Sequence, residues 1–402
     1  MMQIISNKVK FVIYIFIIIG VLVFFSGILG FSSQRIWQAY LVNFVFWSGL
    51  AQGGVVFSAA YRITNGKWGE TMRRISEGFV FFIPLNILFV IVLLLGKNYI
   101  WNWIDHPIQE KKIWLDQDFF TLRIIFYFLF MALLSIWYVY RSVRPDIGLK
   151  FEQGVGTNSK LIKYIIRNWR GYDVENENSN RTLTKLTPLV LLSYAVIYSM
   201  IGFDVVMSLD PHWYSTLYGW LHFVHEFYAG VVAILLATIL TRKYFGLDNQ
   251  IKLSEFYDAS RLVMGLGLLA GGFYWAQFLV IWYGNLSDEI GRLMIRFNQQ
   301  PWTGVQWTVI SVLYFLPLIV FLSRSIKEKP IFLVPVSVII LIGIWLYQFI
   351  EITPSIWREP YLPFGFIEIG ITLGFIGAFA LCFIMYLQTI FSFSQIDINT
   401  LR

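Results

Sequence analysis

The chain has 402 residues, of which 57% are hydrophobic, 19% aromatic and 14% charged, with a formal net charge of +7. A mean hydropathy of +0.64 is not that of a soluble protein, and it excludes a soluble domain of useful size. The single cysteine, Cys382, excludes an iron–sulfur cluster or a structural zinc site held by this chain.

Apolar runs divide the chain, and a helix that crosses a bilayer needs about 20 such residues. The sequence predicts one polytopic, all-α membrane domain over residues 1–402, with the 141–186 segment as a cytoplasmic connector. The ten predicted spans are at about 11–31, 38–61, 78–96, 119–140, 187–208, 218–241, 257–284, 303–322, 331–351 and 361–390.

The basic residues predict the orientation of these spans. Of the 31 lysines and arginines, 23 fall in the loops and ends on one side of the predicted membrane, and 7 fall in the opposite loops. Cytoplasmic loops carry the excess of positive charge, so both termini are predicted to be cytoplasmic. The basic charge therefore favours contact with anionic membrane lipid and not with nucleic acid.

Titratable side chains inside a membrane span are costly and usually functional. His222 and Glu226 are four residues apart, so they share a helix face on which a proton can be exchanged. The inner halves of the spans have few titratable groups, with Glu77 at the inner mouth, so a proton path there has to use hydroxyl groups and water. The candidate proton-relay residues are Arg123, Asp204, His222, His225, Glu226, Glu351 and Glu368 on the outer halves, and Gln52, Tyr194 and Tyr198 on the inner halves.

Each of these residues also has a structural interpretation. Arg123 pairs with a carboxylate to fix two helices, Glu351 is solvated at the interface, or His222 and Glu226 form a static hydrogen bond. Haem ligation is disfavoured because His222 and His225 share one helix and no other predicted span contains a histidine.

The outer loop 285–302 contains a second helical pattern. Leu286, Ile290, Leu293 and Phe297 recur at the spacing of one helix face, which predicts a helix along the outer surface. Its charged residues, Asp288, Glu289, Arg292 and Arg296, fall on the other faces.

Three segments resemble the NrfD-like membrane subunits of bacterial alternative complex III. The first, Phe203–Gly219, contains Ser208-Leu209-Asp210-Pro211-His212-Trp213. The second is similar to a Trp-Tyr-x-Asn-x-Pro-Glu-Glu pattern that an arginine follows, and it reads Trp282-Tyr283-Gly284-Asn285-Leu286-Ser287-Asp288-Glu289 with Arg296 beyond it. The third, Phe46–Gly54, resembles a motif in which the quinol-binding paralogue has a histidine at the position of Gln52.

The resemblance implies two four-helix bundles with flanking helices, in a complex of the bacterial inner membrane that oxidises quinol and reduces a cytochrome c or an oxidase. It implies as partners a paralogous quinol-binding subunit, an extracytoplasmic Fe–S subunit, multihaem cytochrome c subunits and a terminal oxidase, with menaquinol or another quinol nearby. The family-motif residues are Asp210, His212, Trp213, Trp282, Asn285, Asp288, Glu289 and Arg296.

The sequence therefore predicts a membrane subunit that has no redox centre of its own and takes part in proton translocation. An amide at Gln52 does not accept the proton of a quinol as an imidazole does, which argues against quinol oxidation in this subunit. The alternative is a subunit that binds and oxidises quinol directly. Lesser alternatives are a structural membrane scaffold and a secondary transporter.

Overall fold

Ten long helices build the chain in the computed structural model, which describes residues 6–30, 33–156, 158–357 and 359–394 and forms no strand among them. All ten are long and apolar enough to cross a membrane, so the predicted all-α, ten-span, multi-pass membrane protein is confirmed. With two shorter helices, the order is α1 (Asn7–Leu29), α2 (Ser33–Ile63), α3 (Glu70–Leu95), α4 (Gln117–Glu152), α5 (Lys160–Ile165), α6 (Tyr172–Leu209), α7 (Thr216–Phe245), α8 (Leu253–Gly284), α9 (Ser287–Asn298), α10 (Trp302–Leu322), α11 (Pro330–Ile356) and α12 (Phe366–Ser394).

Single helical turns and local changes of pitch complete the description. Short turns lie at Lys97–Ile100, Asn102–Ile104, Gln109–Lys111 and Arg324–Lys327. A tighter 3-10 turn interrupts α3 at Gly78–Phe82, and another ends α6 at Met207–Leu209. Wider π-turns lie in α6, α10 and α12, at Gly202–Val206, Ser311–Phe315 and Leu387–Phe391.

Much of the 141–186 segment is helical. The α4 helix continues to Glu152, α6 begins at Tyr172, and the short α5 lies between them. An ion pair between Arg144 and Glu175, 2.9 Å apart, ties the end of α4 to the start of α6. Hydrophobicity does not reveal these extensions because they lie beyond the apolar runs and are fixed by tertiary contacts.

The long helices pack as two rings of four. The first bundle contains α2, α3, α4 and α6, and the second contains α7, α8, α10 and α11, with each helix contacting its two neighbours in the ring. Helix α2 joins the rings by packing along α7 and α11, while α1 and α12 flank the first bundle. Because 94% of its apolar stretch is buried, α2 is the central helix of the molecule.

Glycine pairs allow the closest helix approaches. On α2 and α7, a Cβ at Gly230 would lie 2.6 Å from the Cα of Gly53. On α1 and α12, a Cβ at Gly20 would lie 2.4 Å from the Cα of Gly374. Small residues let backbones meet in this way, and close packing drives helix association in lipid.

The molecule has two faces that project beyond the apolar spans. Following the orientation that the basic residues predict, we call the face that carries α9 the outer face and the face that carries α5 the inner face. Large apolar side chains such as Leu22, Leu122, Leu192 and Val280 are exposed on the helix surfaces between them. These surfaces face the lipid.

Candidate functional site

The α7 helix places three titratable side chains inside the protein. His222, His225 and Glu226 are at most 1% exposed. Glu226 is ten residues after Thr216, the first residue of the helix, which is roughly 15 Å at 1.5 Å per residue. It therefore lies near the middle of an apolar layer that is about 30 Å thick.

His225 is held by contacts on both ring nitrogens. Its Nδ1 is 2.8 Å from the backbone oxygen of Leu221, and its Nε2 is 3.1 Å from the hydroxyl of Tyr314. Because a carbonyl only accepts, Nδ1 carries the hydrogen of the neutral ring and Nε2 accepts from Tyr314. The ring of His225 also stacks on that of Tyr347, with centroids 4.0 Å apart and an angle of 6°.

Glu226 lies at the contact between the two bundles. Gln348 of α11 donates a hydrogen bond of 2.7 Å to its Oε1. Its Oε2 has no hydrogen-bond partner and packs against Gly49 of α2, where a Cβ would overlap it. The Nε2 of His222 is 3.9 Å from Oε1, so the two predicted partners are neighbours without a direct hydrogen bond. We call His222, His225, Glu226, Tyr347 and Gln348 the central cluster.

Five buried polar atoms in and beside the central cluster have no hydrogen-bond partner among the described residues. A buried polar atom without a hydrogen bond costs about 1–3 kcal/mol, and water commonly satisfies such groups where several of them converge. The unpaired atoms are His222 Nδ1, Glu226 Oε2, Gln348 Oε1, Tyr347 OH and Tyr218 OH. The site is therefore suited to holding water between titratable side chains.

An ion-pair cluster lies between the central cluster and the outer face. Glu351 is one helical turn beyond Tyr347 on α11 and 3% exposed. Arg292 Nη2 of α9 is 3.2 Å from Glu351 Oε2, and Arg296 of the same helix pairs with Oε1. Trp213 from the Asp-Pro-His-Trp segment stacks on Arg292, with the guanidinium carbon 4.3 Å from the ring centroid. We call Arg292, Arg296 and Glu351 the outer cluster.

The outer cluster corrects one sequence-based interpretation and adds to another. Glu351 is buried and paired, not solvated at the interface. The predicted surface helix is present, and its Arg292 and Arg296 face inward together with Leu293 of the predicted apolar face, whereas Leu286, just before the helix, is 54% exposed. Burial, together with the nearby Arg296, lowers the pKa of the Arg292 guanidinium from its ordinary value. Two arginines four residues apart on one predicted helix were the signal that a shared carboxylate lies beneath them.

A cavity of about 830 Å³ opens beside the outer cluster. Arg292 and Arg296 line it together with the motif residues Asp210 and His212 and with His106. His212 is exposed and Asp210 is half-buried. The motif segment thus borders the entrance from the outer face to the buried clusters.

Asp204 is in a different environment, although it is also fully buried. The π-turn of α6 directs it to Arg123 of α4, whose Nε and Nη2 are 3.0 and 3.1 Å from its two oxygens. Trp114 Nε1 and the hydroxyl of Tyr127 donate to the same carboxylate at 2.8 and 3.1 Å. Arg123 was a candidate either for the proton relay or for an ion pair that fixes two helices. The structure shows the ion pair, which joins α4 to α6.

Glu368 is fixed in a similar way at the start of α12. Its oxygens accept two hydrogen bonds of 2.7 Å from Arg35 of α2, and one of them accepts the backbone N–H of Gly365 at 2.8 Å. The carboxylate therefore caps its helix and holds it to α2. This geometry is that of a structural group.

Three candidate residues of the first bundle bond locally. The amide of Gln52 and the hydroxyl of Ser135 exchange hydrogen bonds of 2.9 and 3.2 Å. Tyr198 donates to the backbone oxygen of Ser48 at 3.1 Å, and Tyr194 donates to that of Phe223 at 2.8 Å. Gln52 and Ser48 lie on either side of Gly49, so these groups surround the α2 segment that Glu226 contacts.

The sequence interpretation missed most of a buried cluster on the inner side. Glu77 accepts hydrogen bonds from Ser58 and Ser142 at 2.9 and 2.6 Å, and Arg73 and Arg74 approach it to 2.6 and 2.9 Å. The hydroxyl of Tyr138 is 3.2 Å from that of Ser58. Arg73, Arg74 and Glu77 at helical spacing were the available signal. We call these residues the inner cluster.

Several motif residues have structural positions. Asn285 ends α8 in the left-handed conformation, with φ of 46°. Asp288 and Glu289 lie in the first turn of α9, where negative charge is favourable. Trp282 is 48% exposed. In the part of the chain that the structure describes, no group of three or more His, Cys, Asp or Glu side chains could hold a metal ion.

Comparison with known proteins gives two relatives, and no family profile matches the chain. The chain is 22% identical over 347 residues to a subunit of the selenate reductase of Mesobacillus selenatarsenatis, and the match covers 81% of this chain and 75% of that protein. It is 21% identical over 329 residues to a putative dimethyl sulfoxide reductase membrane subunit of Halobacterium salinarum, covering 78% and 68%. The chain is thus similar to membrane subunits of oxidoreductases, which supports the coarser part of the expected resemblance.

Proposed function

We propose that the chain is a membrane subunit of a bacterial respiratory oxidoreductase complex, without a redox centre of its own, and that it takes part in proton translocation. The central cluster and the outer cluster carry the protons. Partner subunits on the outer face carry the redox chemistry, with an Fe–S protein and either c-type cytochromes, as the motif resemblance implies, or a reductase subunit, as the two relatives suggest.

The unpaired polar atoms of the central cluster are the observation that carries this proposal. Buried polar groups in a structural site are usually hydrogen-bonded, as those of Asp204, Arg123 and Tyr127 are. Here His222, Glu226, Tyr347 and Gln348 each keep an unpaired atom. Water that bridges these atoms would connect them into one hydrogen-bonded chain along which protons move.

The proposed route has an outer and an inner half. From the outer cavity it passes Arg296 and Glu351, then Tyr347 and the adjacent His225, and reaches Glu226. Beyond α2 it continues through Gln52 and Ser135 to the inner cluster at Glu77. The described side chains form no direct hydrogen bond between Glu226 and Gln52, so water completes the proposed path at this point.

Direct quinol oxidation at Asp204 is less well supported. Its carboxylate already accepts hydrogen bonds from Arg123, Trp114 and Tyr127. A group engaged in this way is a poor acceptor for the proton of a quinol.

The test is Glu226→Gln in the intact complex. The complex is purified from native membranes, its partner subunits are identified by mass spectrometry, and it is placed in liposomes. The glutamine keeps the size of the side chain and its hydrogen bonds but not the exchangeable proton. We expect the number of protons moved per electron to fall while electron transfer continues.

The matched control is Glu368→Gln, which makes the same change in a carboxylate that is fixed to Arg35. We expect its proton-to-electron ratio to equal that of the unmodified complex. Equal proton-to-electron ratios in the unmodified complex, in Glu226→Gln and in Glu368→Gln would contradict the proposed relay. Purification of the chain without any redox subunit would remove the proposed complex and favour the transporter interpretation.

A further inference from the structure

A small cavity lies under α9, where that helix meets α8 and α11. Its volume is about 20 Å³, little more than the roughly 10–15 Å³ that one water molecule needs. Its lining includes Trp213, Gln277, Arg292, Arg296 and Glu351. The tryptophan and the two arginines are at most 6% exposed. The cavity is therefore a buried site with charged walls and room for one small ligand.

The walls of this cavity carry more unpaired donors than acceptors. Four buried N–H groups have no hydrogen-bond partner among the described residues, and they are Arg292 Nε, Arg292 Nη1, Arg296 Nε and Trp213 Nε1. Gln277 Oε1 is an unpaired acceptor beside them, and the amide turned over presents its NH2 group instead. A water molecule accepts about two hydrogen bonds, so one water leaves donors unsatisfied.

The same cavity has an excess of positive charge. Arg292 Nη2 is 3.2 Å from Glu351 Oε2, and Arg296 pairs with Oε1 of the same carboxylate. Two guanidinium groups thus share one counter-charge. Asp210 lines the outer cavity nearby, but in the described part of the chain it forms no ion pair with either arginine. Because a buried charge without a counter-charge is costly, both the donors and the charge favour a negative ligand.

We propose that this cavity binds a small monovalent anion such as chloride. A single negatively charged atom accepts hydrogen bonds from every direction, which matches donors that come from three side chains. Phosphate and sulfate have five heavy atoms each and are too large for the volume. The bound anion would complete the charge balance of the outer cluster and hold α9 against α8 and α11. The proposal does not depend on the proton relay.

The outer cavity gives the anion a way in. Arg292 and Arg296 line both cavities, so the larger one leads from the outer face to the guanidinium groups. An anion that binds only the folded protein stabilises it in proportion to the logarithm of its concentration above the dissociation constant. The stability of the complex should therefore depend on which anion surrounds it.

The test is thermal unfolding of the purified intact complex while sodium chloride replaces sodium gluconate at constant total concentration. Constant ionic strength screens the surface charges equally throughout, and gluconate is too large for the cavity. We expect the midpoint of unfolding to rise by about 1–3 °C for each tenfold increase in chloride above the dissociation constant.

Two variants locate the effect at the cavity. Arg292→Gln removes the excess charge and leaves the neutral pair of Arg296 and Glu351, so the chloride effect should disappear. Gln277→Glu keeps the size of the side chain and supplies a carboxylate in place of the anion, so its midpoint should be equal in chloride and in gluconate. The matched control is Arg181→Gln, which changes an arginine that is 76% exposed and should keep the full effect.

Two results would overturn the proposal. One is an equal midpoint of the unmodified complex in chloride and in gluconate. The other is a chloride effect that stays at full size in both Arg292→Gln and Gln277→Glu, which would place the anion elsewhere. Since unfolding is measured and not proton movement, failure of the relay in Glu226→Gln is a separate result.

Discussion

Asp204 and Glu226 are both fully buried carboxylates, but their surroundings give them different roles. Asp204 accepts hydrogen bonds from Arg123, Trp114 and Tyr127, so both of its oxygens are engaged. Glu226 accepts one hydrogen bond, from Gln348, and keeps a free oxygen. A proton relay needs a carboxylate with an oxygen that water can reach for a hydrogen bond, and of these two only Glu226 keeps an oxygen without a partner.

The Asp204 pair predicts a large stability effect. Arg123→Ala should destabilise the protein by about 3–5 kcal/mol, because it leaves a buried carboxylate without its counter-charge. The effect is measured by thermal unfolding of the purified complex, with the amount of subunit that stays folded and soluble as the readout.

The control for Arg123 is the exposed pair of Arg181 and Glu177, whose side chains are 76% and 77% exposed. Arg181→Ala should change stability by less than about 1 kcal/mol, since solvent screens such pairs. If Arg123→Ala unfolded at the same temperature as Arg181→Ala, Asp204 would not be fixed as described.

The sequence predicted which side chains lie inside the membrane but not their partners. His222, His225 and Glu226 follow from their place in an apolar run. The bond from Gln348 to Glu226 joins residues 122 positions apart, and no local pattern encodes such a contact. The inward direction of Arg292 and Arg296 likewise depends on Glu351 lying beneath them, which becomes evident only once α9 and α11 are packed.

At the scale of the helices, α2 has the greatest influence because it contacts both bundles. Its Gly49 makes room for Glu226, and its Gly53 meets Gly230 of α7 backbone to backbone. The sequence showed α2 as one more apolar span. The high share of small residues on one face is informative only when the facing helix is known.

At the contact of α2 with α7, replacing a glycine by alanine should destabilise the protein, although alanine has the higher helix propensity. Gly230→Ala should destabilise the protein by about 1–3 kcal/mol, because the added methyl group forces two backbones apart. At Gly304 of α10 a Cβ meets no atom within 4 Å, so Gly304→Ala should be stabilising by about 0.5–1 kcal/mol. The midpoints of thermal unfolding of the two variants test this prediction. If both substitutions raised the midpoint, α2 and α7 would not be in close contact at Gly230.

For the whole molecule, hydrophobicity was sufficient to predict ten helices and a multi-pass membrane protein. It did not determine which four helices form each bundle, because each span is apolar on most of its surface. The resemblance supplied that expectation, and the packing of α2, α3, α4 and α6 and of α7, α8, α10 and α11 agrees with it. The central cluster lies where the bundles meet, with Glu226 of the second bundle packed against Gly49 of the first.

Ordered water between the bundles tests the central claim most directly. A structure of the intact complex at a resolution that shows water should have molecules within about 3.2 Å of His222 Nδ1, Glu226 Oε2 and the hydroxyl of Tyr347, joined in one chain to the outer cavity. A dry, closely packed interior around these atoms, with each polar group bonded to another side chain, would contradict proton movement through this subunit.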